Sequence, residues 1–428
     1  MNALPFLVMM VTLLLGLPIA FSLASAGIVG ILLLGGDWSV ILRILGTTPF
    51  GVTAEYILTT IPMFILMAYF SASGGLARDL YTAGANWLSP IKGGLAIATV
   101  FACGIFGAMS GASLAAAAVM SSIAMPEMRR HGYSDELAAG AIGIGATLDI
   151  LIPPSVGMVI YGITTQTSIG KLLIAGVVPG IVVGLFLVVA ILVWVRLAPA
   201  HAPETFVVTP AERWASLSRI WPSLLLIVLV VALLYTGFAT PTEVGALGAF
   251  LAAVIGAAFG RLTWAGALDA MRQTVKTSAL IFMILIGATV FGYYMAMSKI
   301  PQQVVAVVTD LNLNRWVVMI GIVVAYFVVS MFMDELPLLL LTLQLTFPLI
   351  TSLGFDPIWF GVMSMLMVAM GLVFPPVGMI AFVVSSSGNV SLMKVYAGTS
   401  ILTSALVLTT ILLMLFPQLA LWLPNTMK

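Results

Sequence analysis

The chain has 428 residues, of which 62% are hydrophobic and only 7% are charged, with a formal net charge of +1. A soluble domain is nearer half apolar and a quarter charged, so this composition cannot cover a water-facing surface. The small net charge gives no reason to expect a nucleic-acid partner. A single cysteine, Cys103, excludes an internal disulfide. The sequence contains no Cys/His cluster, so it gives no reason to predict a metal site.

Long apolar segments without charge predict membrane helices. The stretches 177–195, 224–234 and 246–259 contain no charged residue. A hydrocarbon core of about 30 Å takes roughly 20 helical residues. The apolar runs are continuous rather than alternating, which excludes membrane-spanning strands. We therefore predict an all-α polytopic protein of the inner membrane, embedded in the lipid bilayer by several spans. Residues 1–17 lack a basic n-region and are predicted to form a first membrane helix rather than a cleaved signal.

In chain order, the predicted elements fall into two similar halves. In residues 1–198 they are helices near 3–17, 19–34 and 54–75, a surface helix at 77–92, a re-entrant hairpin at 94–128, a broken helix at 135–165 and a closing helix at 172–196. A cytoplasmic linker, 199–216, follows. In residues 217–428 the same series is predicted at 217–238, 241–258, 276–297, 299–315, 316–351, 356–387 and 394–416. This gives about ten full crossings and two hairpins.

The internal repeat is visible in rare residues. At an offset of 222, Pro126 aligns with Pro348, and the pair Pro153-Pro154 aligns with Pro375-Pro376. The matches are mostly Gly and Pro, so a shared apolar composition does not explain them.

The distribution of basic residues predicts that the two halves are inverted. With the first hairpin opening to the cytoplasm and the second to the outside, 11 of the 16 basic residues lie inside. The five outside are Arg43, Lys171, Lys299, Arg315 and Lys428. The loop 128–132 holds two arginines, whereas the equivalent loop 350–354 holds none. Both termini are then expected outside.

Each Pro-Pro pair predicts a helix broken within the membrane. Proline removes an amide donor and disrupts the preceding turn. The carbonyls that lose their helical partners are tolerated only where protein or a water-filled cavity lies against them. Discontinuous helices in inverted repeats are typical of secondary transporters. Sodium is a suitable partner for such oxygens, so two breaks that each face a hairpin tip predict two cation sites.

The sequences around the breaks supply candidate ligands. In the first half, 107–113 is rich in small residues and carries Ser110 and Ser113, and Asp149 precedes the break. Ordinary small-residue helix packing is the alternative. In the second half, Asp334 and Glu335 lie in an apolar stretch, where carboxylates are costly and usually functional. Solvation at a water-exposed tip is the alternative there.

Taken together, these motifs resemble the large membrane subunit of the tripartite ATP-independent periplasmic (TRAP) transporters, the DctM-like family, over essentially the whole chain. The resemblance is carried by Ser110-Gly111-Ala112-Ser113, Gly132-Tyr133, Ile152-Pro153-Pro154-Ser155, Pro179-Gly180, Thr240-Pro241-Thr242-Glu243 and Pro375-Pro376-Val377-Gly378.

The resemblance implies a function. Such a subunit works with a small four-helix membrane subunit and a periplasmic solute-binding protein. It imports organic acids such as C4-dicarboxylates or sialic acid, driven by a sodium gradient, and moves a transport domain like an elevator. Na+ is its coupling ion, with no other cofactor and no catalytic residues.

The family's sodium ligands can be carried over onto this chain. The first site is implied at Ser110, Ser113, Asp149, Ile152 and Pro154. The second is implied at Met333, Gly371, Phe374 and Val377. A substrate pocket is predicted between the hairpin tips, at Gly111, Ser155, Asp334 and Gly378.

Two positions depart from the family pattern. Asp149 stands where glycine is usual, and its repeat partner is Gly371. An aspartate there could ligate sodium, carry a coupled proton or pair with another cation. Phe374 stands where the family usually has threonine, which removes a polar ligand from the second site.

Two other functions compete with this prediction. A stand-alone sodium-coupled dicarboxylate carrier shares the broken-helix architecture but usually has an Asn-rich hairpin tip. An intramembrane serine protease is suggested by Gly111-Ala112-Ser113-Leu114, but it needs a base near the serine. The two histidines, His131 and His201, fall in predicted loops.

Overall fold

The computed structural model describes residues 3–202, 205, 208–311 and 313–427. Residues 203, 204, 206 and 207 of the predicted linker lie outside the described residues, as does Lys428, which the sequence places among the outer basic residues. All regular structure in the described part is helical, which confirms the all-α fold.

The two halves contain similar series of helices. The first half contains α1 (Leu4–Leu14), α2 (Ile19–Leu33), α3 (Trp38–Thr53), α4 (Thr60–Ser73), α5 (Leu76–Leu88), α6 (Gly94–Ser110), α7 (Ser113–Arg130), α8 (Asp135–Ala146), α9 (Val156–Thr165), α10 (Ile169–Ala175) and α11 (Val177–Leu197). The second half contains α12 (Pro210–Thr236), α13 (Pro241–Ala258), α14 (Trp264–Ser298), α15 (Ile300–Asp310), α16 (Arg315–Ser330), α17 (Glu335–Ser352), α18 (Pro357–Gly371), α19 (Met379–Gly388), α20 (Leu392–Leu415) and α21 (Gln418–Asn425). Short 3-10 turns lie at Tyr56–Thr59, Thr147–Ile150 and Pro199–His201.

Two hairpins and two interrupted helices are the main features of the fold. Helices α6 and α7 meet at a tight turn, and α16 and α17 form the equivalent hairpin in the second half. Helices α8 and α9 are separated by the first Pro-Pro pair, and α18 and α19 by the second. Both Pro-Pro peptide bonds are cis.

The third predicted helix of each half differs between the halves. In the second half α14 is one continuous helix of 35 residues. In the first half the equivalent stretch is divided into α3 and α4, with Glu55 extended between them. Pro62 lies in the first turn of α4, where a proline is tolerated. The sequence analysis missed α3, and it also missed the final helix α21.

Several spans are long enough to cross a bilayer. Seven helical segments of the described chain have the length and apolar composition of membrane spans. The first helix is shorter than predicted: α1 has 11 residues, which at about 1.5 Å per residue covers only half of a hydrocarbon core. It ends before Gly16, whose φ is +80°, and Pro18. The fold is that of a multi-pass inner-membrane protein.

One group of helices ties the two halves together, and we call it the frame: α2, α4, α13 and α14. In it α2 packs on α14, and α4 packs on α13. The hydroxyls of Thr60 and Thr242 lie 2.6 Å apart, and those of Tyr69 and Thr277 lie 3.0 Å apart. Each polar pair joins α4 of the first half to a helix of the second half, α13 or α14.

The second group, which we call the hairpin bundle, contains α6–α9 and α16–α20. Its halves exchange partners: α7 of the first hairpin packs on α19, and α17 of the second packs on α9. Helix α8 packs on α20. Arg129 at the end of α7 donates to the carbonyls of Gly388 and Asn389 at 3.2 and 3.0 Å, and to Asp135 at 2.7 Å. The two breaks are therefore held in one packed unit.

Candidate functional site

The first hairpin turns at a glycine that the backbone geometry requires. Gly111 ends α6 with φ +56°, and its amide donates to the carbonyl of Gly107 at 2.7 Å. This left-handed conformation is strained for residues with a Cβ. A Cβ at Gly111 would also lie 3.3 Å from the carbonyl oxygen of Pro154. The tip of the first hairpin thus lies directly against the first break.

A buried carboxylate lies at this contact. Asp149 occupies the 3-10 turn Thr147–Ile150 that ends the first part of the broken helix, and it is 2% exposed. The hydroxyl of Ser113, at the start of α7, donates to its Oδ1 at 2.6 Å. Gly107 makes room for it, because a Cβ there would lie 2.6 Å from the Cβ of Asp149. The arrangement presents a carboxylate and a hydroxyl beside a helix break.

The predicted sodium-site residues Ser110 and Ile152 and the predicted substrate-pocket residue Ser155 lie in the same segments, but their side chains make other contacts. The hydroxyl of Ser110 donates to Gly107 of its own helix at 3.2 Å. The hydroxyl of Ser155 caps α9 by accepting from the amide of Met158 at 3.4 Å. The side chain of Ile152 packs against Gly180. A hydroxyl that donates a hydrogen bond keeps lone pairs, so the oxygen of Ser110 and the backbone carbonyls of this segment are the groups that could meet a cation.

The second hairpin tip is joined to the second break by the backbone. The amide of Gly378 donates to the carbonyl of Met331 at 3.1 Å, and Gly378 has φ +55°. Ser330, at the end of α16, donates to the carbonyl of Met367 at 3.0 Å. A Cβ at Gly371 would collide with the Ser330 side chain. Close approach of two backbones is therefore a property of both halves.

The chemistry of the second break is different. Phe374 offers no polar side chain, and its ring lies 5.4 Å from the ring of Phe327. The carbonyl of Val377 accepts from the hydroxyl of Tyr396 at 2.6 Å. Thr399 donates to the carbonyl of Val373 at 2.8 Å. Side chains of α20 thus bond to two carbonyls at this break, one of which is that of the predicted ligand Val377.

The acidic pair at the second tip divides between two roles. Asp334 caps α17 by accepting from the amide of Glu335 at 2.9 Å, and Met333 lies half-buried beside it. Glu335 reaches across to the first half, where its carboxylate occupies the space that a side chain at Gly157 would fill. The sequence analysis missed Gly157. The one available signal was that this glycine follows the first Pro-Pro break just as Gly378 follows the second.

The carboxylates do not form a metal cluster. Over the residues that the structure describes, no three His, Cys, Asp or Glu side chains converge as metal ligands.

A duplicated bundle with two hairpin tips packed against two helix breaks defines a class: a secondary transporter with its binding region within the membrane. Comparison with known proteins gives the family. The chain belongs to the DctM family, whose model, the DctM component of the tripartite ATP-independent periplasmic transporter, matches residues 6–419.

Two relatives illustrate the similarity. The chain is 34% identical over 405 residues to the C4-dicarboxylate TRAP transporter large permease protein DctM of Pseudomonas aeruginosa, covering 94% of each. It is 31% identical to the ectoine TRAP transporter large permease protein TeaC of Halomonas elongata, covering 96% of each.

A solved structure shows a related fold. The YdaH transporter of Alcanivorax borkumensis superposes with a TM-score of 0.64 over 90% of this chain and 89% of that chain, at 17% identity. At this identity the likeness concerns the fold alone.

Proposed function

We propose that this chain is the transport subunit of a sodium-gradient-driven, binding-protein-dependent importer of organic acids. It works with a small four-helix membrane subunit and a periplasmic solute-binding protein, as the word tripartite in the family description implies. The observation that carries the proposal is the pair of hairpin tips packed on helix breaks, with Ser113 and Asp149 at the first.

The donor set at the first break suits sodium. Sodium is a hard cation, and Asp149, Ser113 and the carbonyls of the broken helix are oxygen donors. The carbonyls of Ile152 and Pro154 lie in the non-helical segment between Ile150 and Val156. The second site would rest on the backbone around Met333, Gly371, Phe374 and Val377. The side chain of Phe374 has no hydroxyl to offer a cation.

The division into frame and hairpin bundle supports an elevator movement. Frame helices of the two halves are joined by Thr60–Thr242 and Tyr69–Thr277. Between the two groups, Gln344 of α17 donates to the carbonyl of Ala288 of α14 at 3.0 Å. In the proposed movement the hairpin bundle shifts as one unit past the frame and carries the substrate between its tips, near Gly111, Ser155, Asp334 and Gly378.

The alternatives have less support. A serine protease typically places a histidine between its serine and its carboxylate. Ser113 instead donates directly to Asp149, and His201 and His131 contact Ser134 at 2.6 Å and the carbonyl of Glu127 at 2.9 Å. Transport rather than catalysis is the activity we propose. A stand-alone carrier remains the second candidate, because the broken-helix architecture does not itself require a binding protein.

Reconstitution tests the proposal. Proteoliposomes containing the chain and its small subunit are expected to take up substrate only with binding protein outside and an inward sodium gradient. Uptake by the lone chain would favour the stand-alone carrier, and uptake that persists unchanged without sodium would refute the coupling.

The variant Asp149→Gly tests the role of Asp149, since it installs the residue found at the repeat partner Gly371. The sodium or pH dependence of uptake is expected to change. If neither changes, Asp149 plays no part in coupling. Asp269→Asn, which alters an exposed carboxylate on α14, serves as the matched control.

A further inference from the structure

The loop between α5 and α6 is held in a fixed position against α11. The amide of Ile91 donates to the carbonyl of Leu88 at 3.0 Å, and the amide of Gly94 donates to the carbonyl of Ile91 at 2.8 Å. Gly93 has φ +81°, and a Cβ there would lie 3.1 Å from Cγ2 of Val195. The loop is therefore in direct contact with α11, close to the C-terminal end of that helix.

A cleft of about 430 Å³ opens beside this contact, and two basic side chains line it. They are Lys92 of the loop and Arg196 of α11, while the other residues of the lining are apolar: Ile91, Leu192, Val193, Val195 and Pro199. The ion pairs found among the described residues involve neither Lys92 nor Arg196. The cleft therefore combines two positive charges with an apolar wall, and none of its described lining residues is acidic.

The cleft lies at the level where the membrane meets the cytoplasm. Trp194 precedes Arg196 by two residues, and Trp87 precedes Lys92 by five. The ring of Trp87 packs edge-on against that of Trp214, with centroids 5.7 Å apart. Tryptophan is enriched at membrane–water interfaces, and basic residues concentrate on the cytoplasmic side. On the predicted topology both basic residues of the cleft lie on that side, at the headgroups of the inner leaflet.

An exposed apolar stripe on α11 leads from the cleft into the membrane. It consists of Ile181, Leu185, Val189 and Val193, each of which is at least half exposed. Residues four apart lie on one face of a helix, so the stripe is continuous. From Leu185 to Arg196 it covers about 16 Å at about 1.5 Å per residue, close to half of a hydrocarbon core of about 30 Å. The stripe thus matches the depth of one leaflet.

We propose that this cleft binds an anionic phospholipid of the inner leaflet, with its phosphate between Lys92 and Arg196 and an acyl chain along the stripe of α11. Basic pockets between membrane helices on the cytoplasmic side suit anionic headgroups. A guanidinium can hold two phosphate oxygens, and an ammonium adds a point charge. A helix of a partner protein would cover the stripe but leave both charges without an anion, whereas one lipid satisfies the stripe and the charges together. The site lies apart from the hairpin tips, so it depends on neither the substrate nor the coupling ion.

Native mass spectrometry of the full chain, purified in detergent, tests the proposal. The chain is titrated with dioleoyl phosphatidylglycerol and with dioleoyl phosphatidylcholine, which share their acyl chains and differ in net charge. Phosphatidylglycerol is expected to bind more tightly by about tenfold or more, because each basic residue near the surface adds to the attraction for an anionic lipid. Glycerol 3-phosphate and inorganic phosphate carry the charge without acyl chains, and neither is expected to displace the bound phosphatidylglycerol at equal concentration.

Two double variants with the same change of net charge locate the site. Lys92→Gln/Arg196→Gln should weaken phosphatidylglycerol by about tenfold, whereas Arg272→Gln/Lys276→Gln removes two exposed charges of α14 on the same predicted side and should weaken it by less than about twofold. Val193→Phe fills the apolar wall at a half-exposed position and should weaken the lipid with both charges in place. Cys103 is the only cysteine and is fully buried, so a thiol reagent that labels it only on unfolding verifies that each variant is folded. If the first double variant does not fold, Val193→Phe decides.

Four results would each overturn the inference. Equal affinity for the two lipids would show that the headgroup charge is not recognised. Equal losses in the two double variants would reduce the effect to general surface charge. Displacement of the lipid by inorganic phosphate or glycerol 3-phosphate would make the cleft an anion site without a role for the acyl chain. Displacement of the lipid by the added small membrane subunit would assign the cleft and the stripe to a protein interface. A preference for phosphatidylglycerol that is lost in Lys92→Gln/Arg196→Gln and kept in the control supports the lipid site.

Discussion

Replacing Ser113 by alanine removes the hydroxyl that donates to Asp149 across the first hairpin tip. The two side chains are 7% and 2% exposed, and the hydrogen bond is 2.6 Å long. A hydrogen bond to a charged group contributes about 1.5–3 kcal/mol, and its loss leaves a buried acceptor without that donor. We therefore expect Ser113→Ala to lower the free energy of unfolding by about 2 kcal/mol.

A double-mutant cycle isolates the contact. In an Asp149→Ala background, Ser113→Ala should cost much less, because the acceptor is already gone, and the coupling energy should lie at about 1.5–3 kcal/mol. Ser122→Ala is the matched control on the same helix: its hydroxyl is exposed and bonds only to the carbonyl of Val119, so a change within about 0.5 kcal/mol is expected.

The assay is a denaturant titration of the purified chain, followed by labelling of Cys103. Single-mutant costs that add to within about 0.5 kcal/mol in the double mutant would show that the two side chains are not coupled. The same variants also report on the ion. If Ser113 and Asp149 help to hold sodium, sodium should raise the unfolding midpoint of the wild-type chain more than that of Asp149→Ala.

Two further predictions each compare a variant with a matched control variant. Gly371→Ala places a Cβ onto Ser330 and should destabilise the protein by about 1–3 kcal/mol. Gly321→Ala meets open space in α16 and should be neutral or stabilise the protein by up to about 1 kcal/mol. The thermal unfolding midpoints of the two variants test this, and equal midpoints would contradict it. Arg129→Gln loses two hydrogen bonds to carbonyls at the end of α19 and should lower the free energy of unfolding by about 1.5–3 kcal/mol. Arg130→Gln loses only an exposed ion pair of 4.0 Å and should lower it by less than about 1 kcal/mol. Equal unfolding free energies of these two arginine variants would remove the Arg129 contacts from the stability of the bundle.

The interrupted helices were predictable because proline acts locally. A Pro-Pro pair removes two amide donors wherever it stands, so the breaks at Pro153-Pro154 and Pro375-Pro376 follow from the sequence without tertiary contacts. The hairpins were predicted from paired apolar segments that stand at equivalent places in the two halves. The third helix of each half was predicted at 54–75 and 276–297, which includes α4 but misses α3 and the first part of α14.

The contacts between the halves could not be predicted. Glu335 meets Gly157 only because α17 packs on α9, and nothing in either segment specifies the other. The same holds for Arg129, which looks like an ordinary cytoplasmic arginine in sequence but binds the end of α19. Residues of the candidate site could be named from motifs, whereas the atoms to which their hydroxyls and carbonyls bond are set by packing.

The two breaks differ in what holds them closed, and this difference bears on coupling. At the second break, the hydroxyl of Tyr396 in α20 donates to the carbonyl of Val377, and the amide of Gly378 donates to the carbonyl of Met331 at the hairpin tip. These hydrogen bonds join neutral groups, so they hold the tip against the break in any ionic condition. At the first break the tip meets the helix through the hydroxyl of Ser113 and the carboxylate of Asp149, a group whose charged form is costly within a membrane. A ligand shifts a conformational equilibrium only by its differential affinity for the two states. On the proposed function, the coupling ion therefore has most to act on at Asp149, in the first half of the repeat.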